Sequence, residues 1–231
     1  MKIDAGVVFR QRPVVIPKGP AATEVDIELL HAHSLRSTTS ADSLCSATAT
    51  AAVLGRYGHR DKVGEMNVLL LADTHLREGQ HDRLVDRLAG HLDAADAIIH
   101  AGDITDPSVL EALEAFAPVS AVLGNNDRGM ILPERLVVEL GGCAVGVVHD
   151  SGPTEGRTAR LRRWFPQADV VVFGHSHVPW HQVNIRPEDG HVQHHVNPGS
   201  AMQRRSTPDH TAAVLRLHDG RVIDVSHVVL P

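Results

Sequence analysis

Metal-seeking side chains recur in this chain at one kind of place, the end of a short apolar run. Residues 67–72 lead into Asp73-Thr74-His75, residues 97–100 into Gly102-Asp103, and residues 119–123 into Gly124-Asn125-Asn126-Asp127. Residues 143–148 end on His149, and residues 170–173 on Gly174-His175-Ser176-His177. Carboxylate, imidazole and amide oxygen suit divalent manganese, nickel, iron, zinc or magnesium, whereas the lack of thiolates argues against a structural zinc or an iron–sulfur cluster. Two carboxylates, Asp73 and Asp103, cannot neutralise two such ions. A loaded centre would keep a charge of roughly +2, ready for a phosphate group, and paired ions can lower the pKa of a bound water and steady the attacking oxygen.

These side chains meet only if the runs are strands ending on one edge. Residues 67–72, 97–100, 119–123 and 170–173 have the length and apolar character of buried strands. Between them, residues 81–92 put Leu84, Val85, Leu88 and Leu92 on one helical face. Asp106-Pro107 opens a second helix, with Asp106 as its N-cap. Alternating strands and helices predict parallel strands with crossover helices, and ligands bind outside the carboxyl ends of such strands. Later, Gly141-Gly142 separates 136–140 from 143–149, and Asp219-Gly220 separates 212–217 from 221–229; both read as hairpins. Residues 155–165 carry a helical pattern. The expected architecture is therefore an α/β domain over residues 66–231, with two mixed sheets packed together and helices outside.

Residues 1–65 read differently. Pro13, Pro17 and Pro20 interrupt the start, a Ser/Thr/Ala-rich run covers 37–50, and little periodicity is present, so this part is expected to be a poorly structured N-terminal extension. Aromatics are only 3% of a chain that is 42% hydrophobic, which predicts an aliphatic core. Cys45 and Cys143 lie far apart with no CxxC spacing and read as free thiols of a reducing, cytoplasmic setting. No run approaches about 18 apolar residues, so no spanning helix and no membrane partner are expected. A formal charge of −6 argues against general affinity for duplex nucleic acid.

In chain order the blocks read D-x-H, G-D, G-N-x-D, a lone H and G-H-x-H, followed later by Asn197-Pro198-Gly199-Ser200. Together they resemble the calcineurin-like metallophosphoesterase superfamily, and within it the small bacterial and archaeal phosphodiesterases of the YfcE family. The resemblance runs from Met66, where a member of that family would be expected to start, to about Val229. It implies a four-layer α/β/β/α sandwich. It also implies that Asp73, His75 and His177 hold a first divalent ion, that Asn125, His149 and His175 hold a second, and that Asp103 bridges both. Asp127 would orient the site, and Asp103, Asn125 and Asp127 carry over as the catalytic group. Manganese is the first expectation for both ions. The implied reaction is hydrolysis of a phosphodiester, or of an activated phosphomonoester, by a hydroxide bridging the ions. The partner would be a small phosphate ester; dinucleoside polyphosphates, cyclic nucleotides, nucleic-acid ends and phosphoprotein all stay open. The same fold also serves as a protein-binding scaffold in the retromer subunit Vps29, but here every ligand position is filled, which favours an enzyme.

Two positions depart from that pattern. Asn126 stands where many superfamily members carry a histidine that protonates the leaving group, and Asp150 follows His149 in place of glycine. Elsewhere the plainer readings prevail. His100 is expected to pack beside Gly102-Asp103, His31 and His33 to be a chance pair, and His181, His194 and His195 to be scattered surface or strand residues. Arg157, Arg160, Arg162 and Arg163 read as a solvated helix face. Arg204-Arg205 reads as an exposed pair, with contact to a substrate phosphate as the sharper alternative.

Overall fold

The computed structural model describes residues 64–231. Strands β1 (Glu65–Leu71), β2 (Ala97–His100) and β3 (Val119–Ala121) lie parallel, linked through helices α1 (His81–Ala94) and α2 (Pro107–Glu114). The second half of the chain begins with β4 (Arg135–Leu140) and β5 (Cys143–Val148), followed by α3 (Arg157–Trp164) and β6 (Val170–Val172). It continues through β7 (Trp180–Ile185), β8 (Val192–Asn197), β9 (His210–His218) and β10 (Arg221–Leu230). One five-stranded sheet has the order β10-β9-β1-β2-β3 and the other β4-β5-β6-β8-β7. Both are mixed: β9 joins β1 antiparallel, and β5, β6 and β8 run parallel between antiparallel edge strands β4 and β7.

The alternation of side chains along β1 explains the layering. Val68, Leu70 and Ala72 pack into a core between the sheets with Ile99, Val145, Val147, Val172 and Leu215. Leu69 and Leu71 point the other way, against Leu84, Leu88 and Leu92 of α1 and Val109, Leu110 and Leu113 of α2. A strand covered on both faces must read as a continuous apolar run, and residues 68–72 do. The outer face of the second sheet packs Val171 and Phe173 against Leu161 and Phe165 of the α3 region, with Trp164 and Trp180 beside them. The arrangement is helix, sheet, sheet, helix, as expected.

Local chemistry ends the elements where the sequence suggests. Asp106 Oδ1 accepts a hydrogen bond from Ser108 N (2.9 Å), and Pro107 stands at the first turn of α2. Gly141 and Gly142 turn β4 into β5 with positive φ at both positions (54° and 81°), as do Asp219 and Gly220 between β9 and β10 (46° and 72°). The two hairpins belong to different sheets, and Gly220 N donates to Gly141 O (2.9 Å), joining them at the end remote from the β1, β2 and β5 carboxyl termini.

Some expectations shift. Strand β1 starts at Glu65, which lies opposite His218. The rest of the extension read over 1–65 lies outside the described residues apart from Gly64, and so do Cys45, His31 and His33. The Cys143 thiol is free and buried. Histidines 181, 194 and 195 are strand residues, as one of the two readings had it, and they belong to a β7–β8 hairpin that hydropathy does not reveal. His181 Nε2 lies 3.1 Å from His194 Nδ1, and His195 is fully buried between Asn184 and Gln193 (3.1 and 2.8 Å). Polar residues enter this sheet by satisfying one another, so no apolar run marks the strands. Among the described residues no helix is long and apolar enough to cross a membrane.

Leu88, fully buried on α1, should cost about 2–5 kcal/mol of stability when changed to alanine. Ile131→Ala, at a side chain 60% exposed, should stay within about 0.5 kcal/mol. Urea unfolding of both variants checks this.

Candidate metal centre

At the carboxyl ends of β1, β2 and β6 the backbone leaves its ordinary conformation. Asp73, His75, Asp103, Thr105, His175 and His177 all have positive φ, between 46° and 71°. The only other such non-glycine residue among those described is the hairpin residue Asp219. A left-handed conformation costs a residue with a Cβ about 1–2 kcal/mol. Six of them gathered at one strand edge mark a functional site more strongly than any motif.

The bends aim side chains at two adjoining cradles. In the first, His75 Nε2 is 3.2 Å from His177 Nε2, and Asp73 Oδ1 lies 3.9 Å from the former and 3.4 Å from the latter. In the second, Asn125 Oδ1 is 3.0 Å from both His149 Nε2 and His175 Nδ1. Asp103 Oδ2 stands between them, 3.3 Å from His75 Nε2 and 3.4 Å from His149 Nε2. All seven residues read from the sequence are thus brought together. The ligand atoms of Asp73, Asp103 and His149 also lie within 4.8 Å of one another, so Asp73 approaches both cradles. Asp73 and Asp103 form the buried floor, while Asn125 and His175 are exposed at the mouth.

The electrostatics of this cluster call for cations. Asp73 is fully buried, and its Oδ2 has no hydrogen-bond partner among the described residues. Burial, with Asp103's charge adding to it, pushes its carboxyl up to about 7. His177 gives its Nδ1 proton to Gln203 O (2.9 Å), so its neutral ring turns the Nε2 lone pair toward His75 Nε2. The two ring nitrogens stand 3.2 Å apart, close enough for one cation to engage both. A proton is disfavoured, because burial holds His177 down at about 4 and lowers His75 as well. His149 likewise engages Ala101 O through Nδ1 (2.8 Å), leaving Nε2 for the site, an outer contact typical of metal-binding imidazoles. Burial would lower His149 and raise Asp103. Their mutual hydrogen bond, with those from Asn126, outweighs it, raising His149 and holding Asp103 well below the carboxylate range. The donor set of two carboxylates, one amide oxygen and four imidazoles fits divalent ions.

A ring of supporting contacts holds the donors. Asp127 accepts from Asp103 N (2.9 Å) and Gly124 N (2.7 Å) at Oδ2 and from Thr105 N (2.7 Å) at Oδ1. It organises backbone and does not reach the cradles, consistent with an orienting role. Asn197 Nδ2 donates to Gly174 O (2.9 Å), and Ser200 Oγ donates to Asp73 O (2.7 Å), so the 197–200 loop ties the H-x-H segment to the end of β1. Glycine is required where segments cross: a Cβ at Gly124 would lie 2.1 Å from Asp103 N. Asn126 donates from N to Asp103 Oδ1 (2.8 Å) and from Nδ2 to Asp103 Oδ2 (2.7 Å), a clamp on the shared carboxylate that the sequence did not reveal. Thr105 and Gln203 also escaped notice; only the 197–200 motif hinted at the latter. Asp150 turns away, its Oδ1 accepting from Gly152 N (2.7 Å). His100 is buried beneath, 3.1 Å from Thr74 Oγ1, and is no ligand.

Several known proteins are similar to this chain. The family model described as a calcineurin-like phosphoesterase superfamily domain matches residues 66–220. A probable metallophosphoesterase of Methanothermobacter thermautotrophicus is 34% identical over 163 residues, covering 69% of this chain and 90% of the relative. Among solved structures, a predicted phosphoesterase of Streptococcus pneumoniae aligns with a TM-score of 0.57 at 23% identity, covering 72% of this chain and 91% of that one. Vacuolar Protein Sorting 29 of Cryptosporidium parvum aligns with a TM-score of 0.56 at 21% identity, covering 72% and 99%. At those identities the two structures speak for the fold alone.

The buried carboxylate sets a pH dependence. Asp73, raised from 3.8 to about 7, contributes stability to the ion-free protein below pH 4 that is lost as pH rises through 7. His177, depressed from 6.5 to about 4, contributes stability above pH 6.5 that is lost as pH falls through 4. A divalent ion takes the ionised carboxylate and the neutral imidazole. At pH 5 it competes with the Asp73 proton, and at pH 8 it does not. Manganese should therefore raise Tm more at pH 8 than at pH 5 in scanning calorimetry.

Proposed function

The chain belongs to the calcineurin-like phosphoesterase superfamily, and from that premise we propose that it is a metal-dependent hydrolase of phosphodiesters and of phosphomonoesters with good leaving groups. One observation carries the reading: the ligand set is complete, with one carboxylate oxygen, Asp103 Oδ2, facing a histidine from each cradle. A protein-binding scaffold on this fold has no need of seven intact donors.

Asp73, His75, His177 and Asp103 would hold one ion, and Asp103, Asn125, His149 and His175 the other; manganese is the first choice, with nickel, iron, zinc or magnesium as alternatives. Bound there, two divalent ions would supply Lewis acidity and lower the pKa of water to furnish a nucleophile. The chain's own residues set the geometry. Asn126 fixes both oxygens of Asp103, so the shared carboxylate cannot rotate. Asp127 gathers the amides of Asp103, Thr105 and Gly124, which keeps the β2 and β3 ends in register. The exposed mouth at Asn125 and His175 admits a small phosphate ester, and a formal charge of −6 disfavours duplex nucleic acid. The free buried thiol of Cys143 suits a cytoplasmic setting.

Chelation should abolish turnover and manganese should restore it. Asp103→Asn removes charge from the atom both cradles share and should lower turnover by more than about 100-fold, beyond the 10–100-fold typical of outer-sphere changes. Hydrolysis that survives both treatments would rule out a dinuclear mechanism.

The leaving group has its own signature. General acids contribute about 10²–10⁴-fold, most for strongly basic leaving groups. The Asn126 amide has no proton to give at neutral pH, and Asp150 is turned outward. Rates for substituted phenyl diesters should therefore depend steeply on leaving-group pKa, and Asn126→His should flatten the slope. A shallow slope in the unmodified protein would point to another acid.

A further inference from the structure

Two successive arginines follow the 197–200 loop, and they face opposite ways. Arg204 donates from Nη1 to Pro208 O (2.9 Å), and its charge is felt by Arg87 and His210, away from the metal centre. Arg205 turns toward the centre, its Nη1 3.5 Å from His175 O, and its charge acts on Asp73, His75 and His177. Its position is fixed by the backbone before it. Ser200 Oγ donates to Asp73 O (2.7 Å) and accepts from Gln203 N (2.9 Å), and Gln203 O accepts the Nδ1 proton of His177 (2.9 Å). The segment that carries Arg205 is thus bolted to two ligands of the first cradle.

Among the described residues this guanidinium has no ion-pair partner. Its contact with His175 O lies at the limit of a hydrogen bond, and the ion pairs made by arginine among the described residues are Arg186–Asp189 and Arg216–Asp224. The side chain is exposed. Beside two divalent ions a fixed cation is repulsive, and it weakens their binding unless an anion lies between. The planar fork of arginine matches phosphate oxygens. We propose that Arg205 binds the substrate's phosphate, taking a non-bridging oxygen turned away from the ions and making the cradle one of three cations.

The inference rests on the phosphoesterase reading but can fail separately from it. The test is calorimetric titration of the manganese-loaded protein with inorganic phosphate, which needs no turnover. Arg205→Ala should weaken phosphate binding about 10- to 100-fold, the range for hydrogen bonds to a charged group. Arg205→Lys, which keeps charge but loses the fork, should fall between. Manganese affinity without phosphate should be unchanged or tighter in Arg205→Ala, because a like charge has gone. A supporting role for the side chain predicts the reverse, looser manganese through a displaced His175. Unchanged phosphate affinity, or weakened manganese, overturns the proposal. Tight phosphate binding that depends on Arg205 with no ester hydrolysis would sink the enzymatic reading and leave the anion site standing.

Discussion

Asp73 is a carboxylate at the bottom of a cleft, fully buried, with one oxygen that has no hydrogen-bond partner among the described residues. Desolvating a carboxylate is expensive unless a counter-charge is provided, and among the described residues no lysine or arginine pairs with it. Its neighbours make the need greater, since Asp103 adds a second negative group and His177 turns its unprotonated Nε2 inward. Much of the surrounding structure serves to keep these groups in place until cations arrive. The left-handed bends aim them, Gln203 and Ala101 choose the imidazole tautomers, and Ser200 and Asn197 lock the loops.

Neither sheet contains the site by itself. Asp73, His75, Asp103 and Asn125 come from the strand ends of the first sheet, and His149, His175 and His177 from the second. The distance between the shared carboxylate and His149 is therefore a property of the core between the sheets. That core is aliphatic and closely matched, with Val68, Leu70, Val145 and Val172 among its members. Parallel β1–β3 and parallel β5–β6 present their carboxyl ends to the same edge, so the topology alone delivers the donors as a group.

What the sequence made legible followed from burial. Strands covered on both faces announce themselves as apolar runs, and polar residues directly after such runs stand out, so the architecture and all seven donors could be placed from spacing and pattern. What stayed hidden was polar and relational. The β7–β8 hairpin is buried through contacts among His195, Asn184 and Gln193 that no hydropathy profile records. Asn126 looked like a missing acid, and only three dimensions reveal it gripping Asp103. Asp150 looked poised beside a ligand, yet its own turn claims it. Arg204 and Arg205 are indistinguishable as neighbours in sequence and are separated only by which way each points.

The strained backbone also bears on how such a site persists through descent. Each left-handed donor holds its ring or carboxylate against a local preference, so replacing one by glycine relaxes the chain at that point while removing the donor. Random substitution is thereby biased toward erosion: variants that lose an ion gain conformational ease, and nothing in folding opposes them. A lineage released from the need to bind metal would shed these residues early. Five of the seven donors, Asp73, His75, Asp103, His175 and His177, stand at such positions, and each holds its place against about 1–2 kcal/mol of backbone preference.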